Sequence, residues 1–80
     1  MEEYTEKQGY DVYIKTNANN EVIEINSEVF IKNFSGWILI DENVLGDKGA
    51  HAQGHYLDEP IMNENGEYNY IYYLGSVLRK

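Results

Sequence analysis

The chain contains no cysteine, a single proline and, with tyrosine counted as polar, no uninterrupted apolar run longer than Trp37–Ile40. Without cysteine it can form neither a disulfide framework nor a thiolate zinc site. That apolar run is far too short for a membrane span, which takes about 20 residues. A chain of 80 residues must therefore depend on a thin hydrophobic core, and association with other chains is a common way to supplement such a core.

Basic residues are scarce as well, because 6 Lys and Arg stand against 14 Asp and Glu, for a net charge of −8. A field of this sign repels phosphate backbones and anionic lipid surfaces, which argues against nucleic acid and membranes as partners. The N-terminal residues MEEYTEKQG lack the hydrophobic segment of a signal peptide. We therefore expect a cytoplasmic protein, or one that leaves the cell by another route.

Residues 10–25 predict a β-hairpin. Hydrophobic residues alternate with period two in YDVYIKT (10–16), where Tyr10, Val12 and Ile14 share a face, and again in EVIEI (21–25), where Ile23 and Ile25 do. The intervening NANN is rich in asparagine, which tolerates positive φ and hydrogen-bonds nearby backbone.

Further along, Asn26 or Ser27 can cap a single helical turn. GWILIDE (36–42) predicts a strand that is covered on both faces or lies in an interface.

The remaining segments complete a β-rich pattern. At most one short helix is expected, around 47–53, followed by extended structure over 55–62, a turn at NENG (63–66) and strands at 67–74 and 77–80. The fold class is therefore all-β or β-rich α+β, with a small antiparallel sheet of about five strands built from hairpins. We expect a flexible N-terminal segment, 1–9, and a single domain, 10–80.

Aromatic residues are the compositional anomaly, since they make up 14% of the chain. In the strand 67–74, Tyr68, Tyr70 and Tyr72 line one face. Tyrosine is favoured at protein interfaces and also stacks on sugars. These three residues and Trp37 are therefore candidate binding residues, for a protein or for a glycan, and the competing interpretation is that they fill the core and its rim.

The stretch GDKGAHAQGHYLDEP (46–60) holds both histidines. Asp47, His51 and His55 are spaced four apart and would share one face of a helix, a spacing that zinc or nickel could use. Because glycines interrupt that helix and no further ligand is fixed locally, we expect no metal site. A metal-dependent hydrolase using these three residues is the least favoured interpretation.

Catalytic motifs are missing from the sequence. There is no phosphate-binding glycine loop, no serine in a nucleophile elbow and no cysteine nucleophile. The adjacent acids Asp41–Glu42 and Asp58–Glu59 would point to opposite faces of a strand. We therefore expect a protein that is not an enzyme and that needs no cofactor.

Three strings carry a resemblance to a known group of proteins: VYIKTNANNEVIEINSEVFI, GWILIDE and GDKGAHAQGHYLDEPIMNENGEYNY. Over residues 10–74 the chain resembles short proteins of phages and prophages of Gram-positive bacteria that are encoded near tail-fibre genes. The most specific parts of the pattern are the strand GW.(L/K)ID and the segment GDK..HAQG.Y. The second is matched by Gly46, Asp47, Lys48, His51, Ala52, Gln53, Gly54 and Tyr56.

The chain departs from that pattern at three places. Val44–Leu45 looks like an insertion, Gly49 replaces an aromatic residue and His55 replaces asparagine. The last departure implies that the histidine pair is not a shared metal motif. The segment with Asp47, His51, Gln53 and Gly54 is then expected to be a shape element. Its His51 and Gln53 side chains would hydrogen-bond nearby backbone, and the loop would cover the tyrosine face.

The resemblance implies a biological setting without a mechanism. We expect a non-enzymatic accessory protein of a phage or prophage tail or tail fibre, acting as a structural component or an assembly factor through protein–protein contacts. Its partner would be a tail-fibre protein or a second copy of itself, in the bacterial host cytoplasm when made or in the virion tail. The alternative is a carbohydrate-binding module for the host cell wall.

Overall fold

The computed structural model describes residues 8–80 as a β-rich α+β fold with two small antiparallel sheets, which confirms the predicted fold class. The first sheet has the strand order β2-β1-β3 and the second pairs β4 with β5. The strands are β1 (Tyr10–Thr16), β2 (Val22–Ser27), β3 (Ile38–Val44), β4 (Tyr70–Tyr73) and β5 (Ser76–Arg79). The helices are a 3-10 turn (Glu28–Phe30), α1 (Asp47–Ala50) and α2 (Ala52–His55).

The predicted hairpin of residues 10–25 is confirmed, and its turn is organised by one asparagine. The side-chain oxygen of Asn17 accepts hydrogen bonds from the backbone N–H groups of Asn19 and Glu21, at 2.9 and 3.0 Å. Its side-chain nitrogen donates to the Glu21 carboxylate at 2.9 Å. Asn20 closes the turn at φ 63°, a conformation that asparagine tolerates better than most residues.

The NENGE segment (63–67) repeats this turn atom for atom. The Asn63 side-chain oxygen accepts from the N–H groups of Asn65 and Glu67, both at 2.9 Å, and its side-chain nitrogen donates to the Glu67 carboxylate at 3.1 Å. Gly66, at φ 83°, takes the place of Asn20, which confirms the predicted turn. The pattern Asn-x-Asn-(Asn/Gly)-Glu is thus used twice in the fold.

A β-bulge changes which residues of β2 face the core. Ile14 pairs with Ile25 and Lys15 with Glu24, but Thr16 pairs with Val22, so Ile23 is the extra residue. Val22 is consequently fully buried on the side of Ile25, whereas Ile23 is only half-buried. The prediction that Ile23 and Ile25 lie on one side of the strand does not hold across the bulge, because strict alternation cannot anticipate an inserted residue.

The segment after β2 contains the predicted helical turn. Ser27 caps the 3-10 turn, and its hydroxyl accepts from the N–H of Val29 at 3.4 Å. β3 then forms the edge of its sheet, with Ile38 and Ile40 packed against the core. Leu39 points to the other side and is 42% exposed. The expectation that both faces of this strand are covered therefore does not hold for the chain by itself.

The predicted helix around 47–53 is present as two consecutive single turns. The backbone leaves helical geometry at His51 (φ −129°, ψ 53°), which ends α1 and begins α2. Gly49 allows α1 to pack tightly, because a Cβ at this position would overlap the carbonyl oxygen of Val44. Val44 and Gly49 therefore lie against each other.

The core joins both sheets around Val12, Ile14, Val22, Ile25, Ala52 and Tyr70. The sheets meet at the β1–β2 turn, where Glu21 bridges to Ile71 and the Tyr72 N–H donates to the Asn20 carbonyl at 2.8 Å. Asn43 accepts a hydrogen bond at 2.7 Å from the N–H of Gly9, which is buried. The rest of the predicted flexible segment, 1–7, lies outside the described residues.

Within residues 8–80, none of the helices has the length and apolar character needed to cross a bilayer.

Candidate interaction surface

A tight turn between β2 and β3 brings two aromatic residues to the outer side of the first sheet. The Trp37 N–H donates to the Phe34 carbonyl at 3.0 Å, and Gly36 between them has φ 84°, as the third position of a type II turn requires. The Ser35 N–H donates to the Asn33 side chain at 2.9 Å, which fixes the entry to the turn. Phe34 and Trp37 are therefore presented from the two ends of one short turn.

β1 supplies the residues that these rings contact. Val12 and Ile14 are fully buried on the inner face, so Tyr13 projects from the outer face. The rings of Tyr13 and Phe34 lie 4.9 Å apart between centroids with an interplanar angle of 54°. Leu39 is the cross-strand partner of Tyr13 on β3. We call Tyr13, Phe34, Trp37 and Leu39 the outer-face cluster.

The outer-face cluster is partly open to solvent. Phe34 is 45% exposed and Leu39 42% exposed, while Tyr13 and Trp37 are half-buried. Lys15 lies beside the cluster, with its Nζ 4.8 Å from the centroid of the Trp37 ring and 3.9 Å from a carboxylate oxygen of Glu24. A patch of rings with a polar rim is typical of protein-binding surfaces.

The predicted tyrosine stripe points mainly inward. Tyr70 is 6% exposed and belongs to the core, and Tyr72 is half-buried against that core. Tyr68 is half-buried as well, and its backbone bridges to Met62. On the other face of β4, Tyr73 is 57% exposed. The core-filling interpretation therefore describes Tyr70 best, and of the four predicted binding residues Trp37 alone lies in the outer-face cluster.

Contacts from two other segments hold Tyr70 in place. The Glu59 N–H donates to the Tyr70 hydroxyl at 3.1 Å, and the Arg79 guanidinium lies 5.9 Å from the centroid of its ring. Arg79 also forms a two-pronged pair with the Glu59 carboxylate, at 2.8 and 3.1 Å. Their mutual hydrogen bond lowers the pKa of Glu59 and raises the pKa of Arg79. Tyr70 is thus covered by the segment after α2, as well as by Ala52.

A second ion pair connects Lys80 with the β1–β2 turn. Its Nζ lies 2.6 Å from a Glu21 carboxylate oxygen, and this hydrogen bond lowers the pKa of Glu21. Another shifted group is Tyr56, whose hydroxyl donates to the Asp41 carboxylate at 2.8 Å. Burial, followed by this hydrogen bond, raises the pKa of Tyr56 to about 12. Burial or a structural hydrogen bond accounts for each of these pKa shifts, so none of them by itself indicates catalysis.

In the histidine segment, residues 46–60, the side chain of His51 lies near those of Asp47 and His55. Nδ1 of His51 lies 3.4 Å from a carboxylate oxygen of Asp47, and the rings of His51 and His55 are 6.3 Å apart. Among residues 8–80, no three acidic or histidine side chains are grouped as metal ligands. The break at His51 accounts for this, because it takes Asp47 and His55 off a common helix face.

The shape of this segment comes from its small buried residues. Gly49 and Ala52 are buried, whereas Asp47, His51, Gln53 and Gly54 are exposed. Within the part of the chain that the structure describes, the side chains of His51 and Gln53 form no hydrogen bond to the backbone, contrary to expectation. The backbone satisfies itself instead, for example from the His51 N–H to the Asp47 carbonyl at 2.8 Å.

Gly54 has no evident role in this packing. It lies inside α2, its φ is not positive, and an added Cβ would meet nothing within 4 Å. Glycine within a helix costs about 1 kcal/mol relative to alanine, so the fold would be more stable without it. Gly54 borders a pocket of about 290 Å³, which also contacts Ile25 and Ile61.

Comparison of the chain with protein-family models, characterised proteins and solved structures finds no match.

Sequence reasoning missed three members of the outer-face cluster, namely Tyr13, Phe34 and Leu39. The alternation in β1 places Tyr13 on the face opposite to that of Val12, and the alternation in β3 places Leu39 on the same side as Trp37. Each signal was visible, but only the pairing of β1 with β3 brings them together. Phe34 had no such signal, because its position depends on the conformation of the turn.

Proposed function

We propose that this chain is a non-enzymatic protein-interaction module of a phage or prophage tail, which binds a tail-fibre protein through the outer-face cluster. The observation that carries the binding role is the cluster itself: aromatic and apolar side chains that remain open on one face of a sheet whose other face is the core. The phage setting depends on the resemblance of residues 10–74.

Burial of the outer-face cluster against a partner is the proposed mechanism. Removing the exposed parts of Phe34 and Leu39 from water is favourable, and aromatic anchors commonly dominate such interfaces. The turn at Gly36 and the contact between Tyr13 and Phe34 hold the rings in position before binding. Little side-chain ordering is then left to oppose association.

Analytical ultracentrifugation with the protein encoded next to this chain, which we expect to be a tail-fibre protein, tests the proposal. We expect a complex with the unaltered chain, and a dissociation constant at least about 10-fold higher for the double variant Phe34→Ala/Leu39→Ala, because each residue would be a binding anchor. Tyr73→Ala is the matched control, since Tyr73 is an exposed ring on a different sheet. Absence of a complex, or equal weakening by the control, would contradict the proposal.

The same experiment distinguishes self-association from fibre binding. The contrasting outcome is that the unaltered chain forms a concentration-dependent dimer that Phe34→Ala/Leu39→Ala abolishes, without any fibre complex. That result would identify the partner as a second copy of the chain. Mass spectrometry of purified virions then separates a tail component, which is retained in the particle, from an assembly factor, which stays in the host cytoplasm.

The glycan-binding alternative has weaker support from the arrangement of the rings. Sugar stacking needs open, flat ring faces, but Tyr70 is buried and the rings of Tyr13 and Phe34 are tilted by 54°. One face of Trp37 has Lys15 over it. Cell-wall glycan binding that Phe34→Ala abolishes would favour this alternative over the protein partner.

A further inference from the structure

We infer that the pocket beside Gly54 is a second binding site, which accepts one large apolar side chain of a partner polypeptide with a basic residue next to it. The pocket lies between α2 and the segment 57–61. It borders Ile25, on the inner side of the first sheet, whereas the outer-face cluster occupies the other side. The inferred site is therefore separate from the proposed fibre-binding face.

The floor of the pocket is apolar. It is formed by Ile25, Ala52, Leu57 and Ile61, of which the first two belong to the buried core and the others pack against it. Engineered apolar cavities of about 150 Å³ hold a benzene ring. The volume here, about 290 Å³, is enough for the ring and stem of a phenylalanine. It lies just below the range of about 300–1,000 Å³ that is usual for small-molecule sites, which favours a single side chain.

Gly54 leaves the entrance open. Neither its backbone conformation nor its packing requires glycine, and α2 would be more stable with alanine. In contrast, Gly49 is required by the close approach of Val44. The absence of a side chain at Gly54 lets the main chain of a partner come close to α2 while its side chain enters the pocket.

The rim of the pocket carries two carboxylates, of which, in the described part of the chain, one is already in an ion pair and the other is not. The carboxylate of Glu59 is held by Arg79 at 2.8 Å, but Asp58 beside it is exposed and has no ion pair within residues 8–80. An apolar side chain that enters the pocket would bring its neighbouring residues close to Asp58. Charge complementarity therefore selects a lysine or arginine at that position.

A capped Gly-Lys-Phe-Lys-Gly peptide is the probe that tests the inference. Titrated into the full chain and followed by two-dimensional amide NMR, it should shift the signals of Ala52, Gly54, Asp58 and Ile61, with a dissociation constant on the order of 1 mM for a single anchor. Peptides with alanine replacing phenylalanine, or glutamate replacing both lysines, should bind at least about 10-fold more weakly. Equal binding of either peptide would overturn the inference.

Two variants with matched controls test the residues. Gly54→Leu fills the entrance and should weaken binding at least about 10-fold, whereas His55→Leu, the neighbouring exposed position on α2, should not. Asp58→Asn should weaken binding about 3-fold or more and reduce its salt dependence, with Glu64→Gln as control. Thermal melting checks that Gly54→Leu still folds. Unchanged binding by Gly54→Leu, or signal shifts confined to Tyr13 and Leu39, would refute the site.

Discussion

The aromatic side chains of this protein form two groups that differ in which side of a sheet they occupy. Tyr70 and Tyr72, on β4, face the core, and Tyr70 is 6% exposed. Tyr13 and Phe34 lie on the outside of the first sheet, and Phe34 is 45% exposed. Tyr70, Tyr72 and Tyr13 follow period-two alternation along their strands, whereas Phe34 lies in the turn before β3. What distinguishes the two groups is the connecting chain, because residues of the segment from Ala52 to Ile61 pack into the same core as the inner group. Among the described residues the outer group has no such cover, and Phe34 remains partly exposed.

The largest expected effect is the loss of the inner group. Tyr70→Ala should lower the free energy of unfolding by about 3–5 kcal/mol, since it empties a core position that joins both sheets. Tyr73→Ala, at an exposed position of the same strand, should cost less than about 0.5 kcal/mol. Urea denaturation measures both values. Similar losses for the two variants would mean that β4 has no inner and outer face.

A smaller effect is expected within the outer-face cluster. A double-mutant cycle with Tyr13→Ala and Phe34→Ala should give a coupling energy of about 0.5–1.5 kcal/mol, because the two rings are in contact. The cycle of Tyr13→Ala with Tyr73→Ala serves as the control and should give none. The free energies of unfolding come from the midpoints of urea denaturation, provided that the denaturant slope is the same for all variants. A coupling of zero for the first pair would show that the rings do not pack in solution.

Tyr56 belongs to neither group, and it should make the free energy of unfolding depend on pH in the alkaline range. Its pKa is raised to about 12, so its contribution is complete below the unfolded value of about 10 and is lost as the pH rises through about 12. The difference in melting temperature between the unaltered chain and Tyr56→Phe should therefore shrink from about pH 10 upward. Tyr73→Phe controls for the removal of a hydroxyl. A difference that does not change with pH would contradict the raised pKa of Tyr56, which is caused by burial and then by the hydrogen bond to Asp41.

The smallest effect concerns the ion pair that covers Tyr70. Because the pKa of Glu59 is lowered by Arg79, its contribution to stability is present above the unfolded value of about 4.3 and disappears as the pH falls through the lowered one. Glu59→Gln should therefore melt slightly below the unaltered chain at neutral pH and together with it at strongly acidic pH. Glu64→Gln is the matched control, and the prediction fails if both variants behave alike.

Local features of the fold were predictable because their causes are local. Asparagine-rich turns, the Ser27 cap and the positive φ of Gly66 each depend on a few neighbouring residues. Alternation in turn identified the strands, and with them the fold class. The bulge at Ile23 and the helix break at His51 were not predictable in this way, because the alternation of residue types carries no signal for an inserted residue or for one non-helical backbone conformation.

The candidate site was predictable only in part. Trp37 was identified from its residue type and its place in an apolar run, and the structure brings it next to Lys15 and into the outer-face cluster. The tyrosines on β4 carried the same compositional signal, but the face they share is the covered one. Composition thus indicates that the chain has more rings than a thin core needs, whereas topology decides which rings remain at the surface.

The position of Tyr70 in the core also has a consequence for how the chain folds. The β1–β2 hairpin closes through neighbouring residues, but the core is complete only when Tyr70 reaches Val12 and Ile25 from far along the chain. Closing long loops slows folding. We therefore expect substitutions in the β1–β2 hairpin to slow refolding and Tyr70→Phe mainly to speed unfolding. These results would mean that the hairpin forms the folding nucleus and that β4 completes the fold.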